Sequence, residues 1–320
     1  MTQDIDPRLL RAFTAVAEEL HFTRAAARLF VAQQALSRDI RRLERELGAE
    51  LFLRTTRAVR PTAEAERLLP YARRVLAAHD ELRAACSAEA RPLLVDIGAP
   101  VGTGHRVLER ARARAVGQEF VARHLSGLTG AAAEILAGRI DVSFGRVAGL
   151  DPALLAGLAQ QPVRFERMAV LLPEDHRLAR LEEVPLAALA GETLYAGAGN
   201  PATAEWTDLA VRLFAGRGVE LAAPFPEISG KEEFSRVVRG RGWSVLASTD
   251  FLAIPGMVLR PLTAPVPLSP VSLVWRKGLR HPGLEALKEA ARGLGEAGNW
   301  LEIPVESWIP DADLSLMSSY

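Results

Sequence analysis

The sequence is poor in several things at once. Among its 320 residues there is one cysteine, Cys86. A single thiol excludes an intrachain disulfide framework, a Cys-rich zinc site and an iron–sulfur cluster held by this chain's cysteines alone. No apolar run approaches the ~20 residues that a membrane span needs. The stretch Met1-Thr2-Gln3-Asp4-Ile5-Asp6-Pro7 has no apolar core. A signal peptide is therefore not expected, and the cytoplasm is the expected compartment. Net charge is missing too, because 39 basic and 39 acidic side chains cancel. There is no G-x-S-x-G, no Walker loop and no H-E-x-x-H. The expectation is therefore no enzyme, no metal and no cofactor. What remains is 49% hydrophobic and 24% charged, the composition of a soluble globular protein of two or three domains.

The balance of charge hides an asymmetry. Residues 1–91 hold sixteen arginines, no lysine and thirteen acids, a net of +3. Within them, residues 23–60 hold nine arginines against four acids, a net of +5. Residues 92–320 carry the compensating −3. Basic charge gathered in one short segment is the footprint of a polyanion binder. A solvated arginine-rich surface gives the same count.

Local patterns divide that basic segment. Asp6-Pro7 reads as an N-cap followed by a first-turn proline. Leu9, Leu10, Phe13, Val16, Ala17 and Leu20 follow at helical spacing. Thr23 is expected to cap a second helix over 24–30, where Ala25, Ala26 and Ala27 allow close approach. A third helix is expected over 34–47, ended by Gly48. Its Leu36, Ile40, Leu43 and Leu47 form one buried stripe. The opposite face carries Gln33, Gln34, Ser37, Arg38, Arg41 and Arg45, residue types that reach base edges and phosphates. Two short helices, a tight turn and a polar third helix read as a helix-turn-helix. The plainer alternative is a three-helix core with a charged outer face. Residues 51–54 and 59–61 then read as two strands of a basic hairpin, or wing. Arg54, Arg57 and Arg60 would meet phosphates or a minor groove, with Thr55 and Thr56 as extra donors.

Residues 63–90 read as one long helix. Leu68, Ala72, Val75, His79, Leu82 and Cys86 alternate at four and three, a heptad seam. Such a seam pairs with a second copy or packs on its own domain, and pairing is the expectation. His79 and Cys86 lie on the seam and read as packing residues, not ligands or nucleophiles. Pro70 is expected to kink the helix near its start. Pro92 is a plausible hinge. Beyond it, strand-like and helix-like segments alternate, as in a parallel sheet with covering helices. Four loops follow strands there: Ala99-Pro100-Val101-Gly102-Thr103, the 126–130 loop with Thr129, the 196–201 loop with Gly199 and Asn200, and Ala247-Ser248-Thr249. Ligands of open α/β sheets bind at such strand ends, although each loop taken singly reads first as a plain turn. Arg146 suits either an acidic ligand or a structural salt bridge. Residues 300–309, with Trp300 and Trp308, are expected to pack, and the last ten residues to fray.

At this point the residues resemble a known family. Thr23-Arg24-Ala25-Ala26-Ala27-Arg28-Leu29, Ala35-Leu36-Ser37-Arg38, Leu47-Gly48, Leu51-Phe52 and Arg54-Thr55 are similar to the winged helix-turn-helix of LysR-type transcriptional regulators. There are three departures. A capping serine is Ala32 here, a first-turn proline is Gln34, and Thr-x-Ala-Gly after the wing is Thr62-Ala63-Glu64-Ala65. Leu136-Ala137-Gly138-Arg139-Ile140-Asp141-Val142, Val170-Leu171-Leu172-Pro173 and Gly240-Arg241-Gly242-Trp243 resemble landmarks of the same family's effector domain, more loosely.

The resemblance implies an α/β multidomain chain. A winged helix-turn-helix over 1–62 and a dimerising linker helix over 63–91 would precede a two-lobed, periplasmic-binding-protein-like effector domain over 92–303. Lobe I would comprise about 92–148 and 263–303, and lobe II about 149–262, with crossings near 144–150 and 251–271. Residues 304–320 would be a tail. The implied function is sequence-specific binding of double-stranded DNA at an inverted repeat by a homodimer or homotetramer, controlled by a small-molecule effector between the lobes. Thr23, Gln33, Gln34, Ser37, Arg38, Arg41, Arg54, Thr55, Arg57 and Arg60 would meet DNA. Ala99, Pro100, Val101, Gly102, Thr103, Thr129, Gly199, Asn200, Ser248 and Thr249 would line the effector site. Contact with RNA polymerase is implied by the resemblance only, and no membrane partner is expected. The rival classes are a binding or transport-linked protein built on the α/β half, and an enzyme with an appended DNA-binding domain.

Overall fold

Asp6 starts the first helix, α1 (Pro7–Glu19), by accepting the Arg8 amide with its side chain, and Pro7 occupies the first turn. The computed structural model describes residues 5–54, 59–86, 91–98, 101–125, 127–228 and 230–317; of 54, 80, 81 and 83–86 it describes the backbone only. The chain divides into two units, Met1–Arg91 and Pro92–Tyr320.

In the first unit, α2 (Phe22–Arg28) begins earlier than expected. Its cap is His21, whose Nδ1 accepts the Thr23 amide at 3.2 Å, and not Thr23 itself. The shift brings Phe22 into the core, where its ring meets Phe52 at 6.2 Å. Next comes α3 (Gln33–Leu47). Ala32 has extended backbone there but offers no side-chain cap, and Gly48 closes the helix at φ 66°. Leu36, Ile40 and Leu43 are buried against Leu9, Phe13 and Val16. Each such side chain contributes roughly 1.5–3 kcal/mol by leaving water. The hairpin strands β1 (Phe52–Arg54) and β2 (Val59–Pro61) pair antiparallel, Leu53 opposite Arg60. Glu44 of α3 accepts the Leu51 and Phe52 amides at 3.0 and 3.3 Å, which fixes the hairpin to the helix.

Thr62 caps α4 (Ala63–Cys86) through its hydroxyl, which accepts the Ala65 amide. The expected seam of α4 is split. Ala72 is buried, and Leu68, Leu69 and Leu76 pack on the unit's own core. His79 bonds Arg11 at 3.3 Å. Val75 and Leu82 stay 50% and 65% exposed, with Tyr71 at 53%. The helix therefore serves two sides along its length, an inner one with Leu68, Ala72, Leu76 and His79 and an open one with Tyr71, Val75 and Leu82. Cys86 lies at the end of α4, its side chain outside the described atoms.

The second unit begins with β3 (Leu93–Asp96), α5 (Thr103–Arg114), β4 (Phe120–Arg123), α6 (Leu128–Leu136) and β5 (Val142–Gly145). β3 pairs parallel with both β4 and β5. After α7 (Pro152–Leu155) comes β6 (Leu158–Pro173), 16 residues long. Then follow β7 (Val184–Pro185), β8 (Thr193–Tyr195), α8 (Ala204–Phe214), β9 (Glu220–Leu221), α9 (Lys231–Arg241), β10 (Ser244–Ser248), β11 (Met257–Thr263) and β12 (Val266–Arg276). The unit closes with α10 (Pro282–Gly298), β13 (Ser307–Trp308) and α11 (Asp311–Met317).

β6 is shared by two lobes. Its residues 158–167 pair antiparallel with β12, next to β5 and β3. Its residues 168–173 pair antiparallel with β10 and β11, next to β8. The sheet is thus mixed, not wholly parallel, because long antiparallel strands carry the chain between lobes. The first passage lies within β6, not at 144–150, so residues 158–167 belong to the first lobe. The second lies between β11 and β12, inside the expected 251–271. Separate cores follow: Leu93, Val107, Leu108 and Leu287 in the first lobe, and Met168, Val170, Leu209 and Leu213 in the second. The tail also differs from expectation. Residues 311–317 are helical and Asp313 is 2% exposed, so this stretch is packed rather than frayed.

Candidate nucleic-acid interface and ligand cleft

In the first unit, burial of Leu36, Ile40 and Leu43 turns the other side of α3 outward. Gln33, Gln34, Arg38, Arg41 and Arg45 are exposed there and Ser37 is half-buried. Exposed Thr23, at the start of α2, reaches Gln33 with its hydroxyl at 3.5 Å. The acids of α3 are directed elsewhere. Asp39 holds Arg8, Glu46 holds Arg42 at 2.7 Å, and Glu44 holds the hairpin. Among the described residues, Arg38, Arg41 and Arg45 consequently make no ion pair or side-chain hydrogen bond. Arg60 of β2 is likewise exposed and has no ion pair or side-chain hydrogen bond among the described residues. Thr55 and Arg57 fall outside the described residues, as does the Arg54 side chain. A convex helix with uncompensated guanidiniums and amides suits the donor and acceptor pattern of a major groove.

In the second unit, the loops singled out from sequence are brought together in two groups, each joining the lobes. The first group surrounds the start of α5. Thr103 donates its amide and its hydroxyl to Glu166 of β6, at 3.3 and 2.5 Å. Asp250, just after β10, accepts from Arg164 at 2.5 Å and from Arg106 at 2.8 Å. Gly102 faces the Asp250 backbone and Glu166. Val101, Ser248 and Thr249 are half-buried beside them, and the Thr249 amide donates to the Arg167 carbonyl. Ala99 and Pro100 lie outside the described residues.

The second group surrounds the start of α6. Glu205 of α8, 6% exposed, accepts from the Leu128 amide at 2.8 Å, the Thr129 amide at 3.1 Å and the Thr129 hydroxyl at 2.5 Å. The helix N-terminus favours that negative charge. Contact is close: a Cβ on Gly127 would stand 2.6 Å from the Ala202 carbonyl, and one on Gly130 2.9 Å from the Ala202 Cβ. Asn200 is buried and caps the next turn by accepting the Ala202 amide. Gly199 has φ +91° and abuts the Phe225 backbone, a conformation and a space that suit glycine alone. Behind both groups, Asp96 accepts from the Leu125 and Gly98 amides and the Ser143 hydroxyl, bracing the ends of β3 and β4. Burial pushes its carboxyl above the ordinary carboxylate value, against the pull of these donors.

Arg146 proves to be a structural ion pair. It is 3% exposed and bonds Asp313, Asp208 and the Glu205 carbonyl. Glu166, Arg164, Asp250 and Glu205 are invisible to sequence reading, because their side-chain partners lie 61 to 144 residues away.

Two family models match the chain. One, described as "Bacterial regulatory helix-turn-helix protein, lysR family", covers residues 7–66, and the other, "LysR substrate binding domain", covers 94–295. The HTH-type transcriptional regulator ShiR of Corynebacterium glutamicum is 37% identical over 196 residues, 57% of this chain and 63% of ShiR. The chain thus spans less than two thirds of that relative's length. IlvR of Caulobacter vibrioides is 31% identical over 303 residues, 88% of this chain and 96% of IlvR. In fold, the chain is similar to full-length CbnR complexed with its target DNA, with a TM-score of 0.61 and 24% identity over 90% of this chain and 99% of that one.

Proposed function

Since this chain belongs to the lysR family of bacterial regulatory helix-turn-helix proteins and carries that family's substrate-binding domain, we propose that it regulates transcription by placing α3 in the major groove of double-stranded DNA. Gln33, Gln34, Ser37, Arg38 and Arg41 read base edges, Thr23 supports Gln33, and Arg54, Thr55, Arg57 and Arg60 of the hairpin hold phosphates. The observation that carries this reading is the set of exposed arginines, unpaired among the described residues, on a helix whose acids are all engaged elsewhere. Residues 1–62 bind DNA and 63–91 link two copies through the open face of α4 at Tyr71, Val75 and Leu82. Two copies present two α3 helices to an inverted repeat, half-site centres about 34 Å apart or a multiple of it. A tetramer spans two such sites. The work is done in the cytoplasm, the chain itself catalyses nothing, and RNA polymerase is a further partner in this reading.

The second unit takes a small-molecule effector between its lobes, at Val101, Gly102, Thr103, Thr129, Gly199, Asn200, Ser248 and Thr249, with Ala99 and Pro100 in the same loop. The ends of parallel strands converge there, as ligand sites of α/β sheets do. An effector acts by binding one arrangement of the lobes more tightly than another. The test is a gel shift of the full-length protein on genomic fragments at low salt. A retarded complex competed only by its own site is expected. No complex at low salt refutes the reading.

A further inference from the structure

The stretch after 295 lies beyond the part matched by the substrate-binding-domain model, yet it touches both lobes. Trp308 of β13 packs on the second lobe's core, and the Arg217 guanidinium lies over its ring at 5.8 Å. Residues 307 and 308 then pair with Val266 and Pro267 of β12, where the chain enters the first lobe. From there α11 lies on the first lobe's strands. The Gln160 amide of β6 donates to the Leu316 carbonyl at 3.5 Å, and the Ser272 hydroxyl of β12 lies 3.7 Å from the Met317 sulfur.

The ion pair in this strap is its grip. Asp313 accepts three hydrogen bonds from Arg146 at 2.9, 3.1 and 2.9 Å, and both side chains are 2% exposed. Arg146 follows β5 of the first lobe. Its remaining nitrogen reaches the second lobe, donating to Asp208 at 2.7 Å and to the Glu205 carbonyl at 2.8 Å. Glu205 is the residue whose carboxylate sits on the start of α6. One guanidinium thus joins the tail, the first lobe and the second lobe, next to the contact between lobes. Removing Asp313 takes the partner from two of the three nitrogens of a buried guanidinium.

We propose that β13 and α11 form a strap that holds the two lobes together through Arg146, and that release of α11 is what lets the lobes part at the Glu205–α6 contact.

Hydrogen exchange on the full-length protein tests this directly. The Leu128 and Thr129 amides donate to a carboxylate on the other lobe, so their protection reports the contact itself. The Ile97 amide donates to the Arg123 carbonyl within the first lobe and serves as the reference. Two variants release the strap: Asp313→Asn, and a chain ended after Pro310. At least tenfold faster exchange at Leu128 and Thr129, with Ile97 unchanged, is expected in both. Wild-type exchange at Leu128 and Thr129 in either variant overturns the proposal. Loss of Ile97 protection along with them also overturns it, because α11 would then be holding up the first lobe and not the contact.

Discussion

Arg38→Ala separates a DNA-reading face from a merely charged one. Arg38 is exposed and, among the described residues, holds no acid. Its removal unpairs nothing, so the thermal midpoint should hold and stability should change by no more than about 0.5 kcal/mol. A bidentate arginine–guanine contact supplies about 1–3 kcal/mol of discrimination, roughly a factor of 5 to 150 in Kd for each half-site. Arg42→Ala is the internal control. Arg42 lies four residues further along the same helix, but it is paired with Glu46 and turned along the helix surface. Its loss should cost only the ~0.3–0.5 kcal/mol of a helix pair. Arg60→Ala is expected to weaken all sequences alike and to lower the salt slope by about 1, as loss of a phosphate contact does. Fluorescence anisotropy on the selected site and on a scrambled duplex, at two salt concentrations, measures all three. Equal sequence preference in wild type and Arg38→Ala would refute the placement of Arg38 at a base edge. A larger loss in Arg42→Ala would shift the reading face from Arg38 toward Arg42, its neighbour one turn on.

Three further outcomes follow from the geometry. Thr129→Val removes one of three donors to Glu205 and should blunt the effector response while DNA affinity stays; an unaltered dose response removes that loop from the site. Ala32→Ser supplies the acceptor that α3 lacks at its N-cap and should raise stability by ~1 kcal/mol in urea unfolding; no gain would mean that the four free amides are already satisfied. Glu18 joins α1 to Arg28 and Arg73 at 2.8 Å each, and although burial pushes its pKa up, those arginines more than offset it and hold the carboxyl below its ordinary value. A carboxyl depressed on folding stabilises above its unfolded pKa of about 4.3 and loses that contribution as pH falls through the folded value. Glu18→Gln should therefore flatten the decline in urea midpoint below about pH 4, and parallel curves would assign the acid sensitivity elsewhere.

The two units were unequally legible. In the first, contacts are local and periodic, so α1, α3 and both hairpin strands stand close to where spacing puts them. The start of α2 was misplaced because an imidazole can cap as a hydroxyl does, and nothing in His21-Phe22-Thr23 ranks one above the other. Spacing presents the seam of α4 as a single surface, because it records which residues share a face, not which neighbour covers it. In the second unit, the expected alternation of strands and helices matches the order β3, α5, β4, α6 and β5. It did not reveal that β6, β11 and β12 run antiparallel, since alternation along a strand carries no direction. Asp313 shows the limit most clearly. An aspartate in Asp311-Ala312-Asp313 reads as a solvated terminus, and only Arg146, 167 residues away, makes it a buried one.

The strength of the lobe contacts bears on how an effector works. Shifting a two-state equilibrium from 1:99 to 99:1 takes about 5.5 kcal/mol of differential binding. A hydrogen bond to a charged group is worth about 1.5–3 kcal/mol net. Glu205 makes three such bonds with α6, and Arg146 makes others on both sides of the same contact. These bonds are not additive, but two or three of them already match what a full shift demands. A ligand that only filled space beside Thr129 would leave this set intact and move little. One that takes over the donors of α6, or that trades places with Asp250 against Arg164 and Arg106, changes the balance by the amount required. If the effector occupies the proposed site, its action turns on which of these side chains it displaces, and the donors it would have to take over are Thr129, now held by Glu205, and Arg164, now held by Asp250.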